Sequence, residues 1–299
     1  MNKSKKLTGR KRDERIAAYI FVAPAVILLI GFLVVPMIYT VYFSGFKYQI
    51  MRPDATTFIA FDNYKKLFSD KNFWAALKNT VYFTVIVVPV QCALALGLAL
   101  LVSKKFRGVA VFRTMYFAPQ LTSMVVISVL WSVLYNANPN TGLINSILVS
   151  LGMSPIKFLS DASTAMNSII FMSAWQGAGY QMMIFLAGLQ AVSPDVLEAA
   201  TIDGAGPVRK FFSVTVPLMK ETFVMVLATL IVAAMKVYDI VQGLTGGGPN
   251  NSTQVLATYM YSQTFQYNNV GMGTAVACVM VVMMLVVIIP YISFTAKEK

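Results

Sequence analysis

The sequence contains no histidine. That absence removes histidine-based catalytic triads, His-ligated zinc and histidine proton relays together. Charge is scarce too: Asp, Glu, Lys and Arg make up 12% of the 299 residues, about half of the roughly 25% usual in a soluble domain. The 12 acidic residues are scattered over loops, which argues against a membrane-embedded enzyme needing clustered acids, His or Cys. Cys92 and Cys278 both sit inside apolar runs and read as ordinary buried thiols, with neither zinc spacing nor a disulfide framework. There is no Gly-x4-Gly-Lys-Ser/Thr loop to cradle a nucleotide phosphate.

What the chain has instead is apolar surface, with 57% hydrophobic residues and a mean hydropathy of +0.67. A spanning helix takes roughly 20 apolar residues. Six segments qualify, at about 17–43, 79–102, 114–135, 166–190, 215–237 and 270–294. The expected fold is all-α, a polytopic membrane protein with six transmembrane helices. The apolar stretch from Ile16 to Phe46 far exceeds a signal-peptide core of about 7–15 residues and reads as a retained first helix. Lys220 and Glu221 near the start of the fifth segment, and Lys236 near its end, suit charges that snorkel to an interface.

The net charge of +12 is concentrated where it sets topology. Lys3, Lys5, Lys6, Arg10, Lys11, Arg12 and Arg15 precede the first span, a placement that contacts anionic headgroups rather than nucleic acid. With the N-terminus in the cytoplasm, sixteen cations fall on the inner side and eight on the outer. The positive-inside rule therefore predicts N-in/C-in. Residues 1–74 are expected to form a basic cytoplasmic tail, the first helix and an outer segment, and residues 75–296 the core.

The most informative stretch lies between the fourth and fifth spans, at about 193–217. Ser193 is a good N-cap, Pro194 fits the first helical position and Asp195 favours the positive end of the dipole. Val196, Ala199 and Ala200 recur at i, i+3, i+4, and Gly204 with Gly206-Pro207 stops the helix. A short amphipathic helix on the cytoplasmic face suits a partner's groove. Lying in the headgroups is the other possibility, one that the acidic Asp195, Glu198 and Asp203 disfavour.

Glu198-Ala199-Ala200, three residues, Gly204, nine residues and then Val214-x-Val216-Pro217 resemble the EAA loop of binding-protein-dependent ABC importer permeases. Val replaces the family's Ile and Leu before the proline. The resemblance implies that this loop is the coupling helix seated in a cytoplasmic ATPase, with Glu198, Ala199, Ala200, Asp203, Gly204 and Pro217 at the coupling positions. Phe61-Asp62-Asn63-Tyr64, Phe73-Trp74 and Asn79-Thr80 are similar to the sugar-importing branch. So is Leu244-Thr245-Gly246-Gly247-Gly248-Pro249 with Tyr259, Tyr261 and Phe265. The long outer insertion of some maltose-type members is missing.

Polar groups inside apolar helices are costly and usually face the bundle interior. Ser173, Gln176, Gly177 and Tyr180 lie at i, i+3, i+4, i+7 of the fourth span, on one face. The resemblance to maltose-type permeases implies a sugar-facing role for these four; simple helix packing would account for Ser173 and Gly177 equally well. Gln120 and Ser123, just after Pro119, are further candidates for the solute pathway. The stretch of the fifth span that matches the family's sugar-site stretch, around Leu230 and Ala234, is apolar here, a departure from the maltose-type pattern.

The resemblance further implies a second homologous permease as heterodimer partner, two ABC ATPase subunits that bind ATP and Mg, and an extracytoplasmic solute-binding protein. No cofactor is expected on this chain. An importer of glycerol phosphate or another polar solute is the alternative within the family, although no cation lies at mid-depth to pair with an anion. A secondary transporter is a more distant one, since mid-membrane acids are lacking.

Overall fold

The computed structural model describes residues 9–104 and 106–296. Lys3, Lys5, Lys6, Lys105, Lys297 and Lys299, which enter the orientation argument, lie outside the described residues. Helix α1 (Gly9–Leu29) runs through a π-turn at Ile30–Val34 into α2 (Val35–Ser44). The wide turn falls where Pro36 offers no N–H to an α-helical bond. A small antiparallel ladder pairs β1 (Phe46–Lys47) with β2 (Thr57–Phe58), the one departure from an all-helical fold among the described residues. Next come α3 (Asp62–Ser69) and α4 (Lys71–Ser103), then α5 (Val109–Leu121) and α6 (Met124–Leu134). They are followed by α7 (Leu143–Ser150), α8 (Ala165–Ala191), α9 (Pro194–Ile202), α10 (Pro207–Lys210) and α11 (Val216–Leu218). The chain closes with α12 (Lys220–Met235), α13 (Asp239–Leu244), α14 (Leu256–Tyr261) and α15 (Val270–Ala296).

Among the described residues three helices are long and apolar enough to cross a membrane, Glu14–Ser44, Lys71–Ser103 and Val270–Ser293, and up to six spans result if each bent pair counts as one. Helix α4, with 33 residues, is about 50 Å long and outreaches a hydrocarbon core of about 30 Å. The predicted third span, 114–135, is not one helix. It breaks between α5 and α6 with a bend of 101°. Pro119 withholds a helical N–H, and Thr122 turns extended at φ −83° and ψ 139°. The predicted fifth span, 215–237, is also broken, bent by 72° between Leu218 and Lys220. There Pro217 follows a π-turn at Phe211–Thr215, and the charged Lys220 and Glu221 open a new helix.

Helix α4 lies along α8 more extensively than any other pair. Small residues let the two backbones close up, as expected where lipid gives no hydrophobic drive between helices: Ala95, Ala99 and Ala174 are fully buried. Phe83, Ile169, Met172, Phe185 and Val226 fill the adjoining core, joining α4, α8 and α12. A second core joins Leu67, Phe73, Leu256 and Val276, from α3, α4, α14 and α15. The first span, by contrast, buries none of its apolar window. Cys92 and Cys278 are free and half-buried.

The loop after α6 is pinned by one amide. Asn145, fully buried, donates to the carbonyls of Asn136 and Ile156 at 2.8 and 2.9 Å and accepts from the Ile156 N–H at 2.8 Å. Asn145→Leu strands those backbone groups, at about 1–3 kcal/mol each. The variant is expected to lower the thermal unfolding midpoint clearly while leaving the cleft described below intact. An unchanged midpoint would show that water replaces the amide.

Candidate solute cleft and coupling loop

The polar stripe of α8 opens onto a cleft of about 170 Å³ between α4, α5, α8 and α12. Ser173, Gln176, Gly177 and Tyr180 form its α8 wall, and Gln120 at the end of α5 reaches it as well. Ser123 does not line it, because the bend after Leu121 carries it away from the α5 face. Opposite stand Leu230, Ala233, Ala234 and Val237, an apolar wall. Gln176 Nε2 donates to the Pro119 carbonyl at 3.5 Å, which ties the stripe to the break in the third span. Among the described residues no Asp, Glu, Lys or Arg side chain lines the cleft.

Two polar lining residues were not among the candidates read from the sequence. Gln91 of α4 and Gln181 of α8 are each 7% exposed, and Gln91 Nε2 donates to Gln181 Oε1 at 3.1 Å. Gln181 was within reach of the spacing argument, since it continues the series 173, 177, 181 at i, i+4, i+8. Gln91 carries no local signal beyond an amide in an apolar run. Gly177 makes room for it: a Cβ there would run into the Gln91 amide.

The loop at 193–217 folds as its sequence dictates. Ser193 Oγ accepts from the Asp195 N–H at 3.3 Å, and Pro194 opens α9. At the other end Ala205 N–H donates to the Ala200 carbonyl at 3.0 Å and Gly204 N–H to that of Thr201 at 3.1 Å. With Gly204 left-handed at φ +80°, this is a Schellman closure. Lys210 Nζ donates to Thr201 Oγ1 at 2.8 Å, joining α10 back to α9. Glu198, Ala199, Asp203, Gly204 and Pro217 are exposed and Ala200 is half-buried. Among the described residues Glu198 has no side-chain partner, and no group of three His, Cys, Asp or Glu could hold a metal ion.

Residues 91–296 match the family described as binding-protein-dependent transport system inner membrane component. The chain belongs to this family. The permease is 37% identical to the probable ABC transporter permease protein YurN of Bacillus subtilis, over 96% of this chain and 99% of the relative. It is 33% identical to the arabinooligosaccharides transport system permease protein AraP of the same organism, over 92% of this chain and 87% of the relative. The same fold occurs in a bacterial ABC transporter involved in the import of the acidic polysaccharide alginate, with a TM-score of 0.84, 22% identity, and coverage of 96% of this chain and 98% of that one. The permease is thus a membrane transport component of an ABC transporter rather than an enzyme, and the EAA-like loop and every cleft residue except Phe83 and Val87 lie within its family segment.

Proposed function

We propose that the permease forms one wall of the translocation pathway for a neutral, hydroxyl-rich solute, a sugar or oligosaccharide. The observation that carries this reading is the lining of the cleft: amides, a hydroxyl and a phenol against an apolar wall, with no ionised side chain among the described residues. Each amide both donates and accepts, as a sugar hydroxyl does, and an aromatic ring offers a face to a sugar's apolar side. An anionic solute such as glycerol phosphate would desolvate its charge here without a partner. The name of the arabinooligosaccharide relative agrees with the neutral class.

The cleft is smaller than the roughly 300–1,000 Å³ of a complete ligand site, which supports a second, homologous permease closing the pathway from the other side. The bare first span supports the same partner. A solute-binding protein delivers cargo at the outer face. Two ATPase subunits, which hold ATP and Mg, dock on α9 around Glu198, with the N- and C-termini on their side in the N-in/C-in topology. Residues 1–74 then serve as tail, first helix and outer segment of the 75–296 core.

The test is uptake by proteoliposomes carrying the complete complex. The Michaelis constant for a neutral sugar is expected to be insensitive to salt, since no charge pair is made. Gln176→Leu is expected to raise it about tenfold, the equivalent of one or two hydrogen bonds. Import of glycerol phosphate or glucuronate in preference to every neutral sugar would overturn the reading.

A further inference from the structure

Two buried amides stand against the apolar logic of the bundle. Gln91 and Gln181 occupy the two helices that pack most closely, while Val87, Val88 and Ala95 fill the neighbouring turns of α4 with apolar groups. Cohesion alone would be served by the same residues at 91 and 181, because amides inside a membrane bundle add little to helix association. Gly177 lies directly against the pair and gives up its side chain to seat Gln91. Both amides nevertheless line the cleft. The mutual bond of 3.1 Å uses one donor of Gln91 and one acceptor of Gln181, so most of the pair's hydrogen-bonding capacity remains.

We propose that Gln91 and Gln181 are solute contacts that together read a vicinal diol. Neighbouring hydroxyls on a sugar ring present a donor and an acceptor side by side, as the two bonded amides do. The close packing of α4 on α8 fixes both before solute arrives, so little ordering remains when it binds. This inference rests on the neutral-sugar reading above.

The experiment compares Gln91→Leu, Gln181→Leu and the double variant in the complete reconstituted complex. Maltose, trehalose, lactose and arabinotriose are the probes, and thermal unfolding is followed in parallel. A purely structural pair and a solute-reading pair give opposite orders. Removing one partner leaves the other buried and unpaired, whereas replacing both by apolar groups is close to neutral for stability. A structural pair therefore has impaired single variants and a recovered double variant. A solute-reading pair has its worst Michaelis constant in the double variant, raised about a hundredfold, although that variant unfolds at or above the wild-type temperature. Gln91→Met with Gln181→Met gives the same comparison with unbranched side chains should the leucine pair fail to assemble. A double variant with the wild-type Michaelis constant, while the wild type imports one of the four sugars, overturns this inference alone. A wild type that imports none of the four but takes glucuronate or glycerol phosphate overturns the neutral-sugar reading and this inference with it.

Discussion

Gly204→Val is expected to uncouple the transporter, with solute-stimulated ATP hydrolysis of the complete complex falling by about 5- to 30-fold. An added Cβ at Gly204 meets nothing within 4 Å, so the penalty is conformational and not steric crowding. The residue sits at φ +80°, a region that costs an L-residue roughly 1–2 kcal/mol, which is a factor of about 5–30 in the population of the correct loop. Such a cost ranks substitutions. Gly204→Asn should retain most coupling because Asn tolerates the left-handed region, Gly204→Ala should be intermediate, and Gly204→Val should be worst. Glu198→Ala should uncouple by another route. The side chain is exposed and unpartnered among the described residues, so its loss leaves α9 folded and acts only where a partner meets it. Circular dichroism separates the two cases from general unfolding. Wild-type coupling in Glu198→Ala would remove α9 from the proposed ATPase interface.

The apolar spans were legible because their signal is additive: long runs of hydrophobic residues read as membrane helices whatever their neighbours do. The breaks were not, because hydropathy does not report backbone geometry. Pro119 and Thr122 are compatible with an apolar run, yet together they turn the third span through 101°. That turn separates Gln120 from Ser123, which would share a face on a straight helix. In the fifth span the charges at Lys220 and Glu221 did mark the place where the helix restarts. The stripe on α8 was readable from i, i+3, i+4 spacing, a local property. Gln91 was not, since its partner Gln181 lies 90 residues away, and only the folded bundle brings the two amides together. The loop at 193–217 was the part whose local structure was most legible, because each of its devices, the Ser193 cap, Pro194 and the left-handed Gly204, acts over a few residues.

Two glycines two residues apart on α8 are expected to fail in different ways. At Gly179 an added Cβ would meet the backbone of α5, the Tyr116 carbonyl and the Phe117 Cα. Backbone cannot rotate aside, so Gly179→Ala forces α5 away from α8. Overpacking of this kind costs about 1–3 kcal/mol, and the larger Gly179→Val should exceed that range. The displacement also moves Pro119, whose carbonyl accepts from Gln176, and Gln120 on the cleft wall. Gly179→Val is therefore expected to lower both the yield of folded permease and its unfolding temperature, with solute uptake lost as a consequence. At Gly177 the obstacle is the Gln91 side chain, which can swing away. Gly177→Ala should leave the unfolding temperature near that of the wild type and raise the Michaelis constant for uptake, because the amide that yields is one of the cleft's own. Thermal unfolding in detergent and uptake in proteoliposomes, measured on both alanine variants, give the comparison. If Gly179→Ala unfolds with the wild type, close approach of α5 to α8 is not what holds the broken third span in place. If Gly177→Ala loses stability instead of affinity, Gln91 acts as packing rather than as part of the cleft's solute surface.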